Sequence, residues 1–430
     1  MKYAVNSDRF AFVSADSREC DPDTAFVLDW YSRKYEADAL KNGAAAILSA
    51  GDLSAYFDTN LPIVGVTGTN GKTTTAALIY SILLDLGYKV AMQGTRGFFI
   101  NGEKIASKTL TTPVLLDNYA RLDRAKGCDF FVTEVSSHAI AQGRMEGLKF
   151  ALKIHTNITG DHLDFHENFE AYRRVKNSFF ADDSLKLINR DDPLVAFNAA
   201  NARSYAIESA ATFKLEAYSP KNGLSGAIVY GGERASFSCD LIGRFNLYNI
   251  LAAIGAVKLL TDKPLQHICD QVENFGGVAG RMEIVSRDPL VIVDFAHTPD
   301  GIDKALEALF PAKIVSVLGA GGDRDKSKRA PMGAAAAKHS RKIYVTSDNP
   351  RSEEPLAIIE EIGRGCGSHP YVARIADRKE AIAKALQELA ADEILVILGK
   401  GDETTQTIGD KILPFSDREV VLELLKGGAA

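Results

Sequence analysis

Tryptophan and cysteine are both scarce in this chain of 430 residues, and neither forms a pattern. The chain has one Trp, and its five cysteines occur singly, with no CxxC pair to bind zinc or form a redox disulfide. Isolated thiols of this kind are typical of reduced, buried side chains in a cytoplasmic protein. Long apolar runs are also missing, since no stretch approaches the roughly 20 residues that span a bilayer. The sequence therefore predicts a cytoplasmic protein without a membrane segment or a secretory signal.

An excess of positive charge is lacking as well. Fifty Lys and Arg residues face 56 Asp and Glu residues, which gives a formal net charge of −6. Domains that bind nucleic acid through its phosphates usually present a basic surface, and this chain has no surplus to build one. The expected partners are therefore small molecules rather than nucleic acid or a membrane, and we expect a monomer.

The chain is long enough for several domains, and its hydrophobic content of 46% is ordinary for a globular protein. Apolar strand candidates alternate with helical patterns, which predicts an α/β fold with mainly parallel sheets. The strand candidates lie at residues 25–28, 44–48, 61–66, 130–133, 152–157, 290–294, 314–318, 342–346 and 393–398. We predict three domains: residues 1–60, residues 61–280 and residues 281–430.

The segment TGTNGKTT at residues 67–74 carries the strongest chemical signal. It follows the apolar run 61–66 and precedes a helical pattern, so the helix would direct its N–H groups at an anion. Lys72 supplies a charge for the terminal phosphates of a nucleotide, and Thr73 or Thr74 an oxygen for Mg²⁺. Val66 stands where the general phosphate-loop pattern has its first glycine. The arrangement of strand, loop and helix nevertheless predicts ATP binding.

Polar residues follow the next two predicted strands. Glu134 occupies the position where a phosphate-loop enzyme places a Mg²⁺ ligand, although a carboxylate at a strand end is often only a cap. Residues 161–166 (DHLDFH) favour a Mg²⁺ site over zinc, because no spaced partner completes a tetrahedral set. Lys176 lies among aromatic and basic residues, but taken alone it reads as a solvated helix lysine.

Three loops near the C-terminus each follow a predicted strand, at residues 319–326, 347–354 and 399–403. The guanidinium groups of Arg324 and Arg351 suit a carboxylate, while Asn349 and Glu403 suit an ammonium. At one end of one sheet these groups would form a pocket for a zwitterionic amino acid. Three independent solvent loops are the alternative.

Together these segments resemble the Mur ligases, the ATP-dependent amide-forming enzymes of peptidoglycan synthesis, and thus of cell shape and division. Within that family the resemblance is to the type that extends UDP-MurNAc-L-Ala-D-Glu. It rests on the motifs TGTNGKTT (67–74), TTP (111–113), EVSSH (134–138), TNITGDHLDFH (156–166), YRRVK (172–176), GRFNLYNILAA (243–253), GRME (280–283), VDFAHTPD (293–300), GGDRD (321–325), SDNPR (347–351) and GKGDE (399–403). It implies a UDP-binding N-terminal domain, a central ATPase domain and a C-terminal Rossmann-like domain that binds the amino acid.

The resemblance also implies roles for individual residues. ATP would be bound by Gly68, Thr69, Asn70, Gly71, Lys72, Thr73, Thr74, Asn246, Asn249, Arg281 and Asp294. The UDP-substrate would contact Ser17, Thr111, Thr112, Ser136, Gln142 and Arg144, and the amino acid Arg324, Asn349, Arg351, Gly399 and Glu403. Catalysis is assigned to Lys72, Glu134, His162 and Lys176, with Mg²⁺ held by Thr73, Glu134, His162 and a carbamate formed from Lys176 and CO₂.

The reaction that the resemblance implies joins meso-diaminopimelate to the D-glutamyl γ-carboxylate through an acyl phosphate. Arg351 in the SDNPR motif fits this acceptor, whose second carboxylate L-lysine lacks. The alternatives are the same chemistry with L-lysine or a folate-type substrate, and a non-catalytic nucleotide-binding protein. His138 and His297 read equally as bases or as structural residues. The chain departs from the family at Asp402, where histidine is usual, and in the short segment before the phosphate loop.

Overall fold

The computed structural model describes residues 2–107, 110–221 and 223–427. Residues 1, 108, 109, 222 and 428–430, which belong to the predicted domain ranges, lie outside this description. The helices are α1 (Glu36–Lys41), α2 (Lys72–Asp85), α3 (Leu115–Arg124), α4 (Ser137–Ala141), α5 (Leu163–His166), α6 (Phe169–Ser178), α7 (Phe245–Leu260), α8 (Leu265–Asp270), α9 (Pro299–Glu307), α10 (Arg329–His339), α11 (Pro355–Gly365), α12 (Arg378–Gln387) and α13 (Asp417–Gly427).

The strands fall into four groups along the chain. The first contains β1 (Tyr3–Ala4), β2 (Phe12–Ser14), β3 (Thr24–Val27) and β4 (Ala46–Leu48). The second contains β5 (Ile63–Thr67), β6 (Val90–Gly94), β7 (Gly97–Ile100), β8 (Glu103–Ala106), β9 (Phe130–Glu134), β10 (Phe150–His155), β11 (Lys186–Asn189), β12 (Ala202–Ala206), β13 (Phe213–Ser219), β14 (Leu224–Tyr230) and β15 (Glu233–Cys239). The third contains β16 (Glu283–Arg287), β17 (Leu290–Asp294), β18 (Lys313–Leu318), β19 (Ser340–Val345), β20 (Val372–Arg374) and β21 (Glu393–Leu398), and the last is the hairpin β22 (Thr405–Ile408) and β23 (Lys411–Pro414).

The phosphate-loop strand lies inside the largest sheet. Its order is β15-β14-β13-β12-β11-β10-β5-β9-β6-β7-β8, and the pairs from β13 to β6 are all parallel. The largely buried helices α2 and α7 pack against one face and form the main apolar core with β5 and β10. Because β9 and β10 flank β5 in parallel, the loops that follow all three strands meet at one edge. The predicted mainly parallel α/β sheet is confirmed.

The predicted alternation of strands and helices is wrong between residues 186 and 239. Five strands, β11 to β15, follow one another there, and the described residues of this segment contain no α-helix between them. The last two form an antiparallel hairpin whose turn contains Gly231 and Gly232, with φ of 56° and 86°. A Gly-Gly pair between alternating strands favours such a hairpin, so the signal was present in the sequence.

Besides the two-stranded hairpin, two smaller sheets lie before and after the large one in sequence. The first, of order β1-β2-β3-β4, buries its apolar face against Leu115, Leu116 and Tyr119 of α3. The third, of order β16-β17-β21-β18-β19-β20, is parallel from β17 to β20, so the loops after β18, β19 and β21 share one edge. Each predicted domain range contains one of these sheets. Within the described ranges, no helix is long and apolar enough to cross a membrane.

Candidate active site

The phosphate loop depends on two glycines with positive φ. Gly68 has a φ of 154°, and a Cβ there would lie 1.8 Å from Thr156 Oγ1. Gly71, with a φ of 87°, precedes α2, and a Cβ there would lie 2.4 Å from Asn249 Oδ1. No larger residue fits either position without displacing its neighbour. The loop is therefore held close to β10 and α7, with the start of α2 behind it.

Lys72 folds back onto the phosphate loop. Its Nζ donates hydrogen bonds to the carbonyl oxygens of Gly68, at 2.8 Å, and Thr69, at 2.9 Å. Burial lowers the pKa of Lys72, and the negative charges of Glu134 and Asp161 oppose that shift. The ammonium is thus kept at the mouth of the loop, where phosphate oxygens can replace the two carbonyls as partners.

Glu134 brings the predicted Mg²⁺ ligands together. Its Oε2 accepts a hydrogen bond from Thr73 Oγ1 at 2.8 Å, and its Oε1 accepts one from the backbone N–H of Thr95 at 2.7 Å. Thr95 was not identified from the sequence, because it follows β6 without any motif. A carboxylate and a hydroxyl beside a phosphate loop are suitable oxygen ligands for Mg²⁺. In the described residues, no group of three or more His, Cys, Asp or Glu side chains could hold a metal, so phosphate and water oxygens would complete such a site.

Lys176 is buried, so the interpretation of this residue as a solvated lysine is wrong. Its side chain is 1% exposed, and Nζ donates to the carbonyl of Gly68 at 2.8 Å, the same oxygen that Lys72 contacts. The ring of Tyr172, one helical turn earlier, lies 5.1 Å from Nζ. Burial first, and then the positive charge of Lys72, hold the pKa of Lys176 well below its usual range. The neutral amine is the form that can react with CO₂.

His162 lies on the loop after β10, with a φ of 53°. Its Nε2 is 3.4 Å from Asp161 Oδ2, and its ring packs edge-on against His138 with centroids 4.8 Å apart. Burial lowers the pKa of His162 to about 4, so the imidazole is neutral near pH 7 and free to bind a metal. His138 also stacks on Phe165, and burial lowers its pKa to about 4.

A cavity of about 1280 Å³ connects the phosphate loop with the third sheet. Asn249 donates to Asn246 Oδ1 at 2.8 Å and accepts from Thr75 Oγ1 at 3.2 Å, which fixes both asparagines beside the loop. Asn70 Nδ2, in the phosphate loop, donates to Asp300 Oδ2 on α9 at 3.1 Å. The predicted ATP and metal residues that line this cavity are Thr69, Asn70, Gly71, Lys72, Thr73, Thr74, Glu134, His162, Asn246, Asn249, Arg281 and Asp294.

Asp294 and Arg281 meet the cavity from the third sheet. The two carboxylate oxygens of Asp294 accept from the backbone N–H groups of Met282 and Ala296, both at 2.7 Å, and burial raises the pKa of Asp294. The guanidinium of Arg281 lies over the ring of Phe295, 4.1 Å from its centroid. Asp294 therefore shapes the loops around the cavity, while Arg281 is a cation on its wall.

Four of the predicted UDP-substrate residues form a second cluster next to Glu134, the Arg144 cluster: Thr112, Ser136, Gln142 and Arg144. Arg144 donates to Gln142 Oε1 at 2.9 Å and to the carbonyl of Thr112 at 2.8 Å. The backbone N–H of Ser136 donates to Thr112 Oγ1 at 2.9 Å. Tyr31, which no motif indicated, reaches this cluster from the first sheet: its hydroxyl donates to Gln142 Oε1 at 3.0 Å and accepts from Arg144 at 3.2 Å.

Thr111 and Ser17 are the other two residues predicted to contact the UDP-substrate. Thr111 lines the large cavity, and its Oγ1 lies 3.3 Å from Thr95 Oγ1. Ser17 is buried in a short 3₁₀ turn, and its carbonyl accepts a hydrogen bond from Asn42 Nδ2 at 2.9 Å. Ser17 contacts neither the cavity nor the Arg144 cluster, so the fold does not bring it together with the other five residues.

The five predicted amino-acid residues meet at the edge of the third sheet. Asn349 Nδ2 donates to Glu403 Oε2 at 2.8 Å, and Arg351 donates to the carbonyl of Gly322 at 2.6 Å. Arg351 and Arg324 both flank Gly321, because a Cβ there would lie 2.8 Å from Arg351 Nη1 and 3.8 Å from Arg324 Cγ. Gly399, with a φ of 113°, lies against the carboxylate of Asp348. The three loops are therefore one cluster and not independent solvent loops.

Comparison with known proteins identifies relatives over almost the whole chain. A model described as the Mur ligase middle domain matches residues 66–257, and one described as the Mur ligase, glutamate ligase domain matches residues 280–401. The chain is 55% identical to a UDP-N-acetylmuramoyl-L-alanyl-D-glutamate–2,6-diaminopimelate ligase of Wolinella succinogenes, over 99% of this chain and 98% of the relative. It is 49% identical to the ligase of the same name from Helicobacter pylori strain J99, over 96% and 95% of the two chains.

A solved structure with the same ligase name superposes with a TM-score of 0.66 at 28% identity, and covers 97% of this chain and 95% of its own. The sequence motifs, the three-sheet architecture and these full-length relatives agree, and the chain belongs to the Mur ligase family.

Proposed function

We propose that this chain is an ATP-dependent ligase that adds meso-diaminopimelate to the D-glutamyl γ-carboxylate of UDP-MurNAc-L-Ala-D-Glu. The observation that carries the proposal is the double role of Glu134. Its side chain accepts from Thr73 in the phosphate loop, and its main-chain carbonyl accepts from Thr112 Oγ1 at 2.8 Å in the Arg144 cluster. The γ-phosphate of ATP and the D-glutamyl γ-carboxylate of the UDP-substrate would therefore lie on the two sides of Glu134.

Positioning and charge neutralisation carry the chemistry. The D-glutamyl γ-carboxylate attacks the γ-phosphorus of ATP, the bond between the γ-phosphorus and ADP breaks, and an acyl phosphate results. The amine of the second substrate then attacks the acyl carbon, and phosphate leaves from the tetrahedral intermediate. Lys72 offers its ammonium to the transferring phosphoryl group, and the neighbouring backbone N–H groups at the start of α2 add a partial positive charge.

Two groups would complete this site. Thr73, Glu134 and His162 would hold Mg²⁺, which neutralises phosphate charge when bound. Lys176 would be carbamylated: its neutral amine attacks CO₂, a C–N bond forms, and one proton is released to give an anion. The buried Nζ close to Lys72 supports this step, since the charge of Lys72 disfavours the ammonium form of Lys176 and would attract the carbamate anion.

The amino-acid cluster favours diaminopimelate over L-lysine. Arg324 and Arg351 flank the same glycine and can bind a carboxylate that lysine lacks. Asn349 and Glu403 can hold an ammonium. A soluble, monomeric enzyme in the cytoplasm is part of this proposal. The filled positions of the phosphate loop, Glu134 and Lys176 argue against a non-catalytic nucleotide-binding protein.

Phosphate release measured with ATP, Mg²⁺ and UDP-MurNAc-L-Ala-D-Glu tests the proposal. We expect release with meso-diaminopimelate and little with L-lysine. Arg351→Ala should raise the KM for diaminopimelate more than tenfold and leave the KM for ATP within about twofold, because the hydrogen bonds of Arg351 go to Gly322 and to the β22–β23 hairpin rather than to the phosphate loop. The control is Arg364→Ala, an exposed arginine on α11. Release with lysine alone would overturn the specificity, and no release with either amino acid would overturn the ligase activity.

A further inference from the structure

Lys400 is a buried ammonium inside the amino-acid cluster, and no motif reasoning gave it a role. It lies two residues after the end of β21, and its side chain is fully buried. Nζ donates to the carbonyl of Thr405 at 2.8 Å, to Glu403 Oε2 at 3.0 Å and to Asn349 Oδ1 at 3.4 Å. An ammonium has three N–H groups, so these three acceptors use all of them and fix the position of Nζ.

These partners include the two residues proposed to hold the ammonium of the amino acid. Glu403 Oε2 already accepts from both Lys400 and Asn349. In the described structure no donor is within hydrogen-bond distance of Glu403 Oε1, and 30% of the Glu403 side chain is exposed. Glu403 thus keeps one carboxylate oxygen without a hydrogen bond in the described structure, while Lys400 and Asn349 both bind the other. Lys400 therefore sets both the orientation and the charge of Glu403.

Lys400 is the cation that contacts Glu403 directly. Residues 399–403 read GKGDE, so Lys400 is their single cation beside Asp402 and Glu403. Arg378, which binds the carbonyl of Leu398 and is paired with Asp417, also interacts with the charge of Glu403, but in the described residues it makes no hydrogen bond to it. Removing the ammonium of Lys400 would leave the two carboxylates of the loop without a directly bonded cation.

We propose that Lys400 is a specificity-determining, positioning residue that disfavours monocarboxylic basic amino acids. This inference rests on the proposed function and deepens it. At neutral pH meso-diaminopimelate carries two carboxylates and two ammonium groups, while L-lysine carries one carboxylate and two ammonium groups. A buried cation attracts each carboxylate of a bound ligand and repels each ammonium, according to the distance of each group. The groups that both amino acids share contribute alike, while the second carboxylate, which lysine lacks, adds an attraction. Lys400 therefore favours diaminopimelate over lysine.

A purely structural role for Lys400 makes a different prediction. The bond from Nζ to Thr405 also ties the loop to β22, so any substitution could loosen the loop. A loosened loop would weaken binding of both amino acids together. Only loss of the charge changes their ratio, and Lys400→Arg, which retains the charge, should restore the ratio even where it lowers activity.

The experiment compares Lys400→Met and Lys400→Arg with the control Lys411→Met, an exposed lysine on the neighbouring hairpin. For each variant, kcat/KM is measured with meso-diaminopimelate and with L-lysine, and lysine is also measured as a competitive inhibitor. We expect Lys400→Met to raise the use or binding of lysine relative to diaminopimelate about tenfold or more, and Lys400→Arg and Lys411→Met to keep the wild-type ratio. An unchanged ratio in Lys400→Met, with both substrates weakened equally, would overturn the proposal.

Glu403→Gln provides a second, opposite test if Lys400→Met does not fold. It removes the negative partner and leaves the ammonium uncompensated, so lysine should become weaker still relative to diaminopimelate. A ratio that moves toward lysine in this variant would also overturn the inference. Failure of the proposed function is distinguishable, because the wild-type enzyme itself would then release no phosphate with either amino acid.

Discussion

The buried ion pair between Arg378 and Asp417 offers the sharpest test of how the amino-acid site is held. Both side chains are 0% exposed. Arg378 donates to the two Asp417 oxygens at 2.7 and 2.8 Å, to the carbonyl of Ser347 at 3.2 Å and to the carbonyl of Leu398 at 2.9 Å. The two carbonyl groups directly precede Asp348 and Gly399, which lie in two of the amino-acid loops. One guanidinium therefore joins both loops to α13.

The size of the effect follows from what each substitution leaves behind. Arg378→Met strands a buried carboxylate and two carbonyl groups, and breaking a buried pair by removing one partner costs about 3–5 kcal/mol. The double variant Arg378→Met with Asp417→Leu removes both charges, so the pair itself becomes close to neutral. The two carbonyl bonds are lost in both variants, at about 1–3 kcal/mol each, and cancel in the comparison. The double variant should thus be about 3–5 kcal/mol more stable than Arg378→Met.

Hydrogen exchange of the amides in β19 and β21 measures this locally, without treating the unfolding of three sheets as one transition. The matched control is Lys379→Met, since Lys379 pairs with Glu423 across the same two helices but both side chains are about half exposed or more (47% and 67%). That variant should cost less than about 1 kcal/mol. Destabilisation of Arg378→Met and of the double variant that agrees within about 0.5 kcal/mol would refute the reasoning.

Two further outcomes are expected. Lys176→Met should abolish ligation, and added CO₂ should not restore it, because the variant has no amine to carbamylate. The unfolding temperature should not fall, since Nζ has one carbonyl partner and burial disfavours its charged form. Ligation and thermal unfolding measured beside Arg174→Met, an exposed residue of the same helix, check this, and full activity would remove the carbamate from the mechanism. Hydrogen bonds from Arg329 lower the pKa of Glu353 to about 2, below its ordinary value of 4.5. Glu353 therefore stabilises the fold above about pH 4.5, and this contribution is lost as the pH falls toward 2. The difference in unfolding free energy between wild type and Glu353→Gln should shrink over that range, and a difference that stays constant from pH 6 to 3 would contradict it.

Local sequence was sufficient for the parts of the site that short segments build. The phosphate loop needs only a strand, two glycines with positive φ and a helix that starts at Lys72, all within residues 63–85. The three amino-acid loops were predictable for a related reason. The carboxyl ends of neighbouring parallel strands share an edge, so Arg351, Asn349 and Glu403 had to converge once the sheet was recognised. The Gly-Gly hairpin after β14 was equally readable and was missed.

Contacts between residues far apart in the chain were decided only by the tertiary structure. Lys176 became a buried amine because α6 lies against Gly68, 108 residues away, and Tyr31 joined the Arg144 cluster from a different sheet. Ser17 lies in a turn bonded to Asn42 and has no hydrogen bond to the same cluster in the described residues. Composition and motifs fix which groups are present, but burial and charge pairing depend on which surfaces pack together. The environments of Lys176 and Lys400, and therefore the chemistry we assign to them, are properties of that packing.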